Sequence, residues 1–391
     1  MKRILFTTSL FLFALIVYGQ GSKVNTAYAN YNHATQDLAN NELDKAIESL
    51  KEAAANIEAA TTHEKTKGNT KTWRYRGNIY SIIAGIESMN TEYPDAVLIA
   101  MESYLKANEL DAKGRYKDEV NQSLKGLHDA EFNNGNNAFG DEKFAEAISH
   151  YRKSIDIFEA LELVDSVAYY NGALAADNGD LIDDAVEFYL GSARIDYQAK
   201  YCYNRAIVHL KNQEKYEEAI IVAKEAREIY PEDKDLIISQ LNVYLVADMY
   251  IEAEKDMENA AAEKPEDPTM WFALGVVKDN LNKSDEAESA YLTSLEKDPE
   301  YFNSNMNLAI LYFSRASKMI EEANEIPAKE FDKYNAAVEL AKKELSKAIP
   351  YFEKAYEINP NKDILMDLKE AYGQLGDTEN YKRVKEIIES D

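Results

Sequence analysis

The sequence predicts an all-α protein, a right-handed α-solenoid of about nine helical pairs. Three observations lead there. Apolar residues recur at helical spacing on both sides of short polar turns, alanine returns at one register position along most of the chain, and in the middle it returns at 34-residue steps. A period of that length holds two short helices, and one such pair cannot bury its apolar face alone, so neighbours must stack. With 391 residues, 46% of them hydrophobic, the chain can bury a large core, and its length favours repetition over one compact domain.

The first residues read as an export signal: Lys2 and Arg3, an uncharged apolar run from Ile4 to Val17, and small Gly19 ahead of Gln20. Cleavage is expected after Gly19, which makes residues 1–19 a signal peptide. The apolar run is shorter than the roughly twenty residues a spanning helix needs, and no later segment is continuously apolar over that length. Gln20 stands where a lipid-anchored bacterial protein would carry cysteine. The mature chain is therefore expected in the periplasm, or secreted, without direct membrane insertion. Loss of Lys2 and Arg3 takes the formal charge from -26 to -28. So acidic a surface repels nucleic acid and anionic membrane, and both are excluded as direct partners. Cys202 is the only cysteine, so no internal disulfide can form.

The solenoid is expected over residues 24–391, with its most regular repeats at 200–301. Its clearest unit runs from Pro268 to Pro299, two helical stretches around the polar turn NLNKSDE. Counting Pro268 as position 1, Trp271, Leu274, Gly275, Ala287, Tyr291, Ser294 and Pro299 fall at positions 4, 7, 8, 20, 24, 27 and 32. Small residues at 8 and 20 let paired helices approach, bulky ones at 4, 7 and 24 fill the space between pairs, and proline ends the second helix. This pattern resembles the tetratricopeptide repeat.

In the same register, position 20 is held by Ala46, Ala100, Ala147, Ala185, Ala219, Ala253, Ala287 and Ala348. Ile207 and Leu241 break the small-residue rule at position 8, which predicts splayed or re-angled pairs there. Trp73 is the other tryptophan at position 4. Longer steps before Ala100 and Ala348 mark insertions between the helices of a pair. The second, about 317–347, is charged and helix-favouring with one break at Pro327, and reads as lengthened helices. The last pair, from Lys362 to Ser390, drifts polar at Tyr381 and Lys385, as a capping repeat does. Eight tyrosines are assigned to the core: Tyr104, Tyr151, Tyr189 and Tyr291 at position 24, Tyr80, Tyr244, Tyr312 and Tyr372 at position 11.

No catalytic residues are expected. His33, His63, His128, His150 and His209 are scattered, with no HExxH, and read as surface or packing histidines. No glycine-rich phosphate loop or nucleophile elbow occurs. The acidic string from Asp177 to Asp184 lacks the ligand order of a calcium loop and reads as a solvated turn. No cofactor and no metal are expected, and the chain is not expected to be an enzyme.

In the family it resembles, positions 2, 5, 6, 9 and 12 line a peptide groove. Three successive repeats place Phe132 and Asn136, then Tyr170 and Asn171, then Tyr201, Asn204 and Arg205 there. Asn136, Asn171 and Arg205 match three of the five positions of the family's chaperone-binding carboxylate clamp, while Phe132 and Tyr201 replace its lysines. The resemblance implies a non-enzymatic scaffold or adaptor that binds a protein or peptide partner in the bacterial cell envelope. The competing reading is that the asparagines bond between neighbouring helices and the aromatics cover their stems. A second function, capture of carbohydrate by a helical-repeat protein of the outer membrane, is implied by a weaker resemblance and by the tyrosines.

Overall fold

The computed structural model describes residues 23–390; the expected signal peptide lies outside them. Every regular element among these residues is helical. The chain divides into two compact units, one up to Cys202 and one from Tyr203. In the first unit α1 (23–39) and α2 (Leu43–Thr61), α3 (Thr70–Ala84) and α4 (Ala96–Leu110), α5 (Lys117–Gly140) and α6 (Phe144–Ala160), and α7 (Ser166–Asn178) and α8 (Ile182–Arg194) form successive pairs. The division falls inside α9 (Ala199–Asn212), which precedes α10 (Tyr216–Ile229). The second unit continues with α11 (Lys234–Val246) and α12 (Tyr250–Glu263), α13 (Pro268–Asn280) and α14 (Ser284–Lys297), α15 (Phe302–Asn324), α16 (Phe331–Ser346) and α17 (Ile349–Ile358), and α18 (Lys362–Leu375) and α19 (Thr378–Ser390). This is the expected all-α solenoid of repeats. No helix among the described residues is long and apolar enough to cross a membrane.

One backbone device closes most pairs. Position 15 of the repeat is left-handed at Asn41, Glu142, Asp180, Glu214, Asp248 and Asn282, with φ between 53 and 60°, and at Gly376 with φ 78°. Beyond it the chain reverses and an N–H reaches back to a helical carbonyl, as from Lys143 to Ala138 at 2.8 Å, Lys283 to Lys278 at 2.9 Å and Asp377 to Tyr372 at 2.9 Å. These bonds satisfy carbonyls that the helix end would otherwise leave open. The two pairs with long spacing lack the device. Between α3 and α4 a short 3-10 turn, Glu87–Met89, intervenes, and α15 runs straight through Ala316, its position 15, to Asn324. Pro327 then separates α15 from α16, and α17 follows α16 almost without a break.

The core explains which residues the register demands. A Cβ on Gly77 would lie 2.5 Å from the Tyr104 ring, on Gly135 2.7 Å from Tyr151, and on Gly275 2.5 Å from Tyr291. Each position-8 glycine is thus roofed by the position-24 tyrosine of its own pair. All eight tyrosines assigned to the core are buried. Ile207 and Leu241, expected to splay or re-angle their pairs, are buried, with Ala223 and Met257 at position 24; the backbones of α11 and α12 run close over a much shorter stretch than those of α13 and α14, so the Leu241 pair is opened as expected. Volume is exchanged across the pair: a large residue at 8 goes with a small or pliant one at 24, which keeps the core filled while the two helices stand further apart. Trp73 and Trp271 play one role in the two units, each donating its indole N–H to a backbone carbonyl six residues earlier, Lys67 at 2.7 Å and Pro265 at 2.8 Å.

Candidate peptide-binding face

Phe132 and Asn136 lie in the C-terminal half of α5, Tyr170 and Asn171 on the first turns of α7, and Tyr201 at the start of α9; Asn204 and Arg205 belong to the second unit. The N-terminus of α7 is set by Asp165. One of its carboxylate oxygens accepts the Ala168 N–H at 3.0 Å, which caps the helix. The other accepts the Ser154 hydroxyl of α6 at 2.8 Å and lies 2.7 Å from His128 Nε2 of α5. Three helices therefore meet at one buried carboxylate.

His128 does more than fill space. Its Nδ1 lies 2.9 Å from Asp129, so both ring nitrogens face carboxylates. A neutral imidazole would set a bare nitrogen against one of those anions, so the geometry selects the imidazolium. Burial lowers the pKa of His128, but its hydrogen bonds to Asp165 and Asp129 outweigh it and the net shift is upward. Burial raises Asp165, and the bonds from His128, Ala168 and Ser154 outweigh that, holding its carboxyl below the usual range. The imidazole stacks on Phe158 at 3.4 Å and near Phe132 at 6.2 Å. The placing of Phe132 follows from this network. Neither Asp165 nor Ser154 stood out in the sequence, because a three-helix junction has no fixed spacing; Ser154 does occupy position 27, like Ser294.

Asn136 and Asn171 meet. The Asn136 side-chain oxygen accepts the Tyr151 hydroxyl at 2.9 Å and the Asn171 amide at 3.3 Å. The bond between neighbouring helices is thus real, and it aligns the two amides. Beside them Tyr170 packs edge-on against Tyr197 at 5.8 Å and Tyr201 at 6.4 Å, and Tyr201 against Tyr189 at 6.1 Å. Tyr201 is 47% exposed, and Phe132, Asn136, Tyr170 and Asn171 are half-buried. In the second unit Asn204 is half-buried, and an Arg205 guanidinium nitrogen lies 3.3 Å from His209 Nε2.

Other polar clusters serve packing. Lys278 is ringed by Glu254, Glu258 and Glu286 at 2.6 to 3.0 Å. Arg227, Gln240, Asp256 and Tyr244 bond one another beside a cavity of about 400 Å³. A more apolar cavity of about 400 Å³, lined by Ile320, Val338, Ala341 and Leu345, opens between α15 and α16. In the acidic string, Asp177 accepts the Tyr189 hydroxyl at 2.8 Å and Asp180 is the left-handed turn residue. Among the described residues, no three His, Cys, Asp or Glu side chains are placed to hold a metal ion.

Family models described as tetratricopeptide repeat match residues 249–301 and 334–362. No curated protein matches the chain in sequence. Among solved structures, a TPR repeats protein from Bacteroides fragilis is 16% identical, with a TM-score of 0.38, over 64% of this chain and 97% of its own. MamA from Desulfovibrio magneticus is 15% identical with a TM-score of 0.33, over 50% and 97%. YrrB, described as a TPR protein with an unusual peptide-binding site, is 21% identical with a TM-score of 0.33, over 56% and 97%. These likenesses are distant, and the fold rests on the chain's own helices and repeats. The chain is an all-α solenoid, and residues 249–301 and 334–362 within it are tetratricopeptide repeats.

Proposed function

We propose that this chain is a non-catalytic adaptor of the bacterial cell envelope that holds an extended peptide segment of a partner protein. Repeats of this kind fit a protein-interaction role. The observation that carries the reading is the joined amide pair. With its oxygen occupied, Asn136 keeps its NH2 group to donate, and Asn171 keeps its oxygen to accept. One donor and one acceptor are what a peptide unit of an extended chain needs, and Phe132, Tyr170 and Tyr201 offer ring surface beside them. Replacement of the clamp's two lysines by Phe132 and Tyr201 directs recognition to the body of a segment rather than to its terminal carboxylate. Neutral hydrogen bonds of about 0.5–1.5 kcal/mol each suit micromolar affinity. The export signal read in residues 1–19 supports a partner in the envelope.

The test is photo-cross-linking in intact cells from Tyr170 and Tyr201 of the first unit, replaced one at a time, with a control on the turn at Asp183. The same protein trapped at both sites, and not at the control, is expected. Trapping no stronger than the control would remove the face from consideration, and protection of the chain by oligosaccharide instead would favour carbohydrate capture.

A further inference from the structure

At three packing positions of the repeat the second unit carries polar side chains where neighbouring repeats carry small or apolar ones. Position 28 is Ala193, Ala261 and Leu295 in those repeats but Arg227 on α10; position 7 is Gly172, Ala206 and Leu274 but Gln240 on α11; position 23 is Phe188, Val222 and Ala290 but Asp256 on α12. The three meet. Gln240 is fully buried; its oxygen accepts from Arg227 Nη1 at 2.5 Å and its amide donates to Asp256 Oδ2 at 3.0 Å. The Tyr244 hydroxyl donates to the same Asp256 oxygen at 2.7 Å, and Lys224 Nζ lies 3.2 Å from it.

Gln240 thus bridges two charges that do not pair directly. Arg74, Arg76, Arg152 and Arg315 are half-buried like Arg227, and each has a carboxylate within ion-pair reach. Arg227 has none among the described residues. Burial draws its pKa down, and the neighbouring Asp256, Tyr244 and Glu263 do not make up for it; at Arg74, Arg152 and Arg315 the nearby carboxylates do, and the shift is upward. A guanidinium keeps its proton regardless, so a charge stands at this wall with too little to balance it. Its Nη2 bonds to no described residue, and neither does Asp256 Oδ1. Both side chains line the same cavity of about 400 Å³ at α10 and α12. Three basic and three acidic side chains surround it, and Pro231, Ala260 and Met270 give it an apolar wall.

We propose that this cavity binds an apolar α-amino acid as its zwitterion, with the carboxylate on Arg227, the ammonium on Asp256 and the side chain against Ala260 and Met270. A plain anion or cation would gain little from a lining whose charges balance, whereas a molecule of both signs answers the open donor and the open acceptor together. Such a ligand also supplies the carboxylate that Arg227 alone among these arginines lacks. The site is built from the second helices of two pairs in the second unit, whereas the proposed peptide face is built from first helices in the first, so the inference stands independently of that reading.

The experiment is isothermal titration calorimetry of the purified chain with L-leucine. A Kd of about 0.1 mM or tighter is expected. Isocaproate, which lacks the ammonium, and isopentylamine, which lacks the carboxylate, keep the same apolar end; each should bind at least about tenfold more weakly, the worth of one charge-assisted hydrogen bond. Arg227→Met keeps the stem and removes the charge, and should weaken leucine binding by at least about tenfold. No detectable binding of leucine, a half-ligand that binds as tightly as leucine, or full affinity in the Arg227→Met variant would overturn the proposal. Should that variant fail to fold, the two half-ligands on the unaltered chain decide the matter by themselves.

Discussion

At the scale of single residues, the roofed glycine and the charged histidine make the sharpest predictions. Gly275→Leu drives a side chain into the Tyr291 ring, 2.5 Å from where its Cβ would lie, and should cost about 1–3 kcal/mol or more. Tyr291→Met alone removes the roof and also destabilises. Together they recreate the Leu241 and Met257 pairing that the second unit already uses, so the double variant should recover part of the loss. A coupling of about 0.5–3 kcal/mol in its favour is expected from urea unfolding. Additive losses would deny that volume is exchanged between positions 8 and 24. His128 predicts a pH dependence. Its folded pKa is raised, so its contribution is complete below the unfolded value of about 6.5 and is lost as pH rises through the folded value. Asp165 is lowered, so its contribution is present above its unfolded value of about 3.9 and fails as pH falls through the folded one. The charged groups facing His128 are Asp129 on its own helix and Asp165 at the start of α7. Thermal unfolding of the first unit should therefore be highest between about pH 4 and 6.5 and fall on the alkaline side. His128→Gln should flatten that alkaline fall; an unaltered profile would mean that another group sets it.

At the scale of elements, the turn within each pair is a backbone device before it is a sequence motif. Six non-glycine residues hold position 15 in the left-handed region, which costs an L-residue about 1–2 kcal/mol. Gly376 alone holds the place freely, with nothing within 4 Å of a Cβ there, so Gly376→Ala tests the backbone by itself and should lower stability by about 1 kcal/mol. Glu142→Gly should be neutral to stabilising by up to about 1 kcal/mol, the relief at φ 60° set against the greater freedom of the unfolded chain. If both changes acted in the same direction on the unfolding midpoint, the turn would not be under this strain. The sequence showed where the turns lie, through strings such as NLNKSDE, but not their left-handed residue, since aspartate, asparagine and glutamate share the position. Where α15 runs on through Ala316, an apolar residue stands at that position and the helix simply continues.

At the scale of the whole molecule, the helical pairs were legible because a fixed period of alanine, glycine and tyrosine reports packing directly. The eight core tyrosines follow from register alone, and so does the equivalence of Trp73 and Trp271. The division after Cys202 was not legible, since α9 passes through it without a proline, a glycine or a change in composition. Among the groove residues, the positions of Phe132, Asn136, Tyr170, Asn171 and Tyr201 came from the repeat, whereas the bond between Asn136 and Asn171 did not, because it joins residues thirty-five apart on two helices. A peptide-binding face makes one demand that packing does not. Asn171→Ala removes the open acceptor together with the Asn171 bond to Asn136, while Asn136 retains its bond to Tyr151. The yield of partner trapped by a photoreactive residue at Tyr170, with and without Asn171→Ala, is therefore the most direct measurement. A several-fold fall in yield, with stability lowered by no more than the about 0.5–1.5 kcal/mol of one hydrogen bond, is the expected result; an unchanged yield would show that the amide pair only joins two helices, and the proposed function would lose its support.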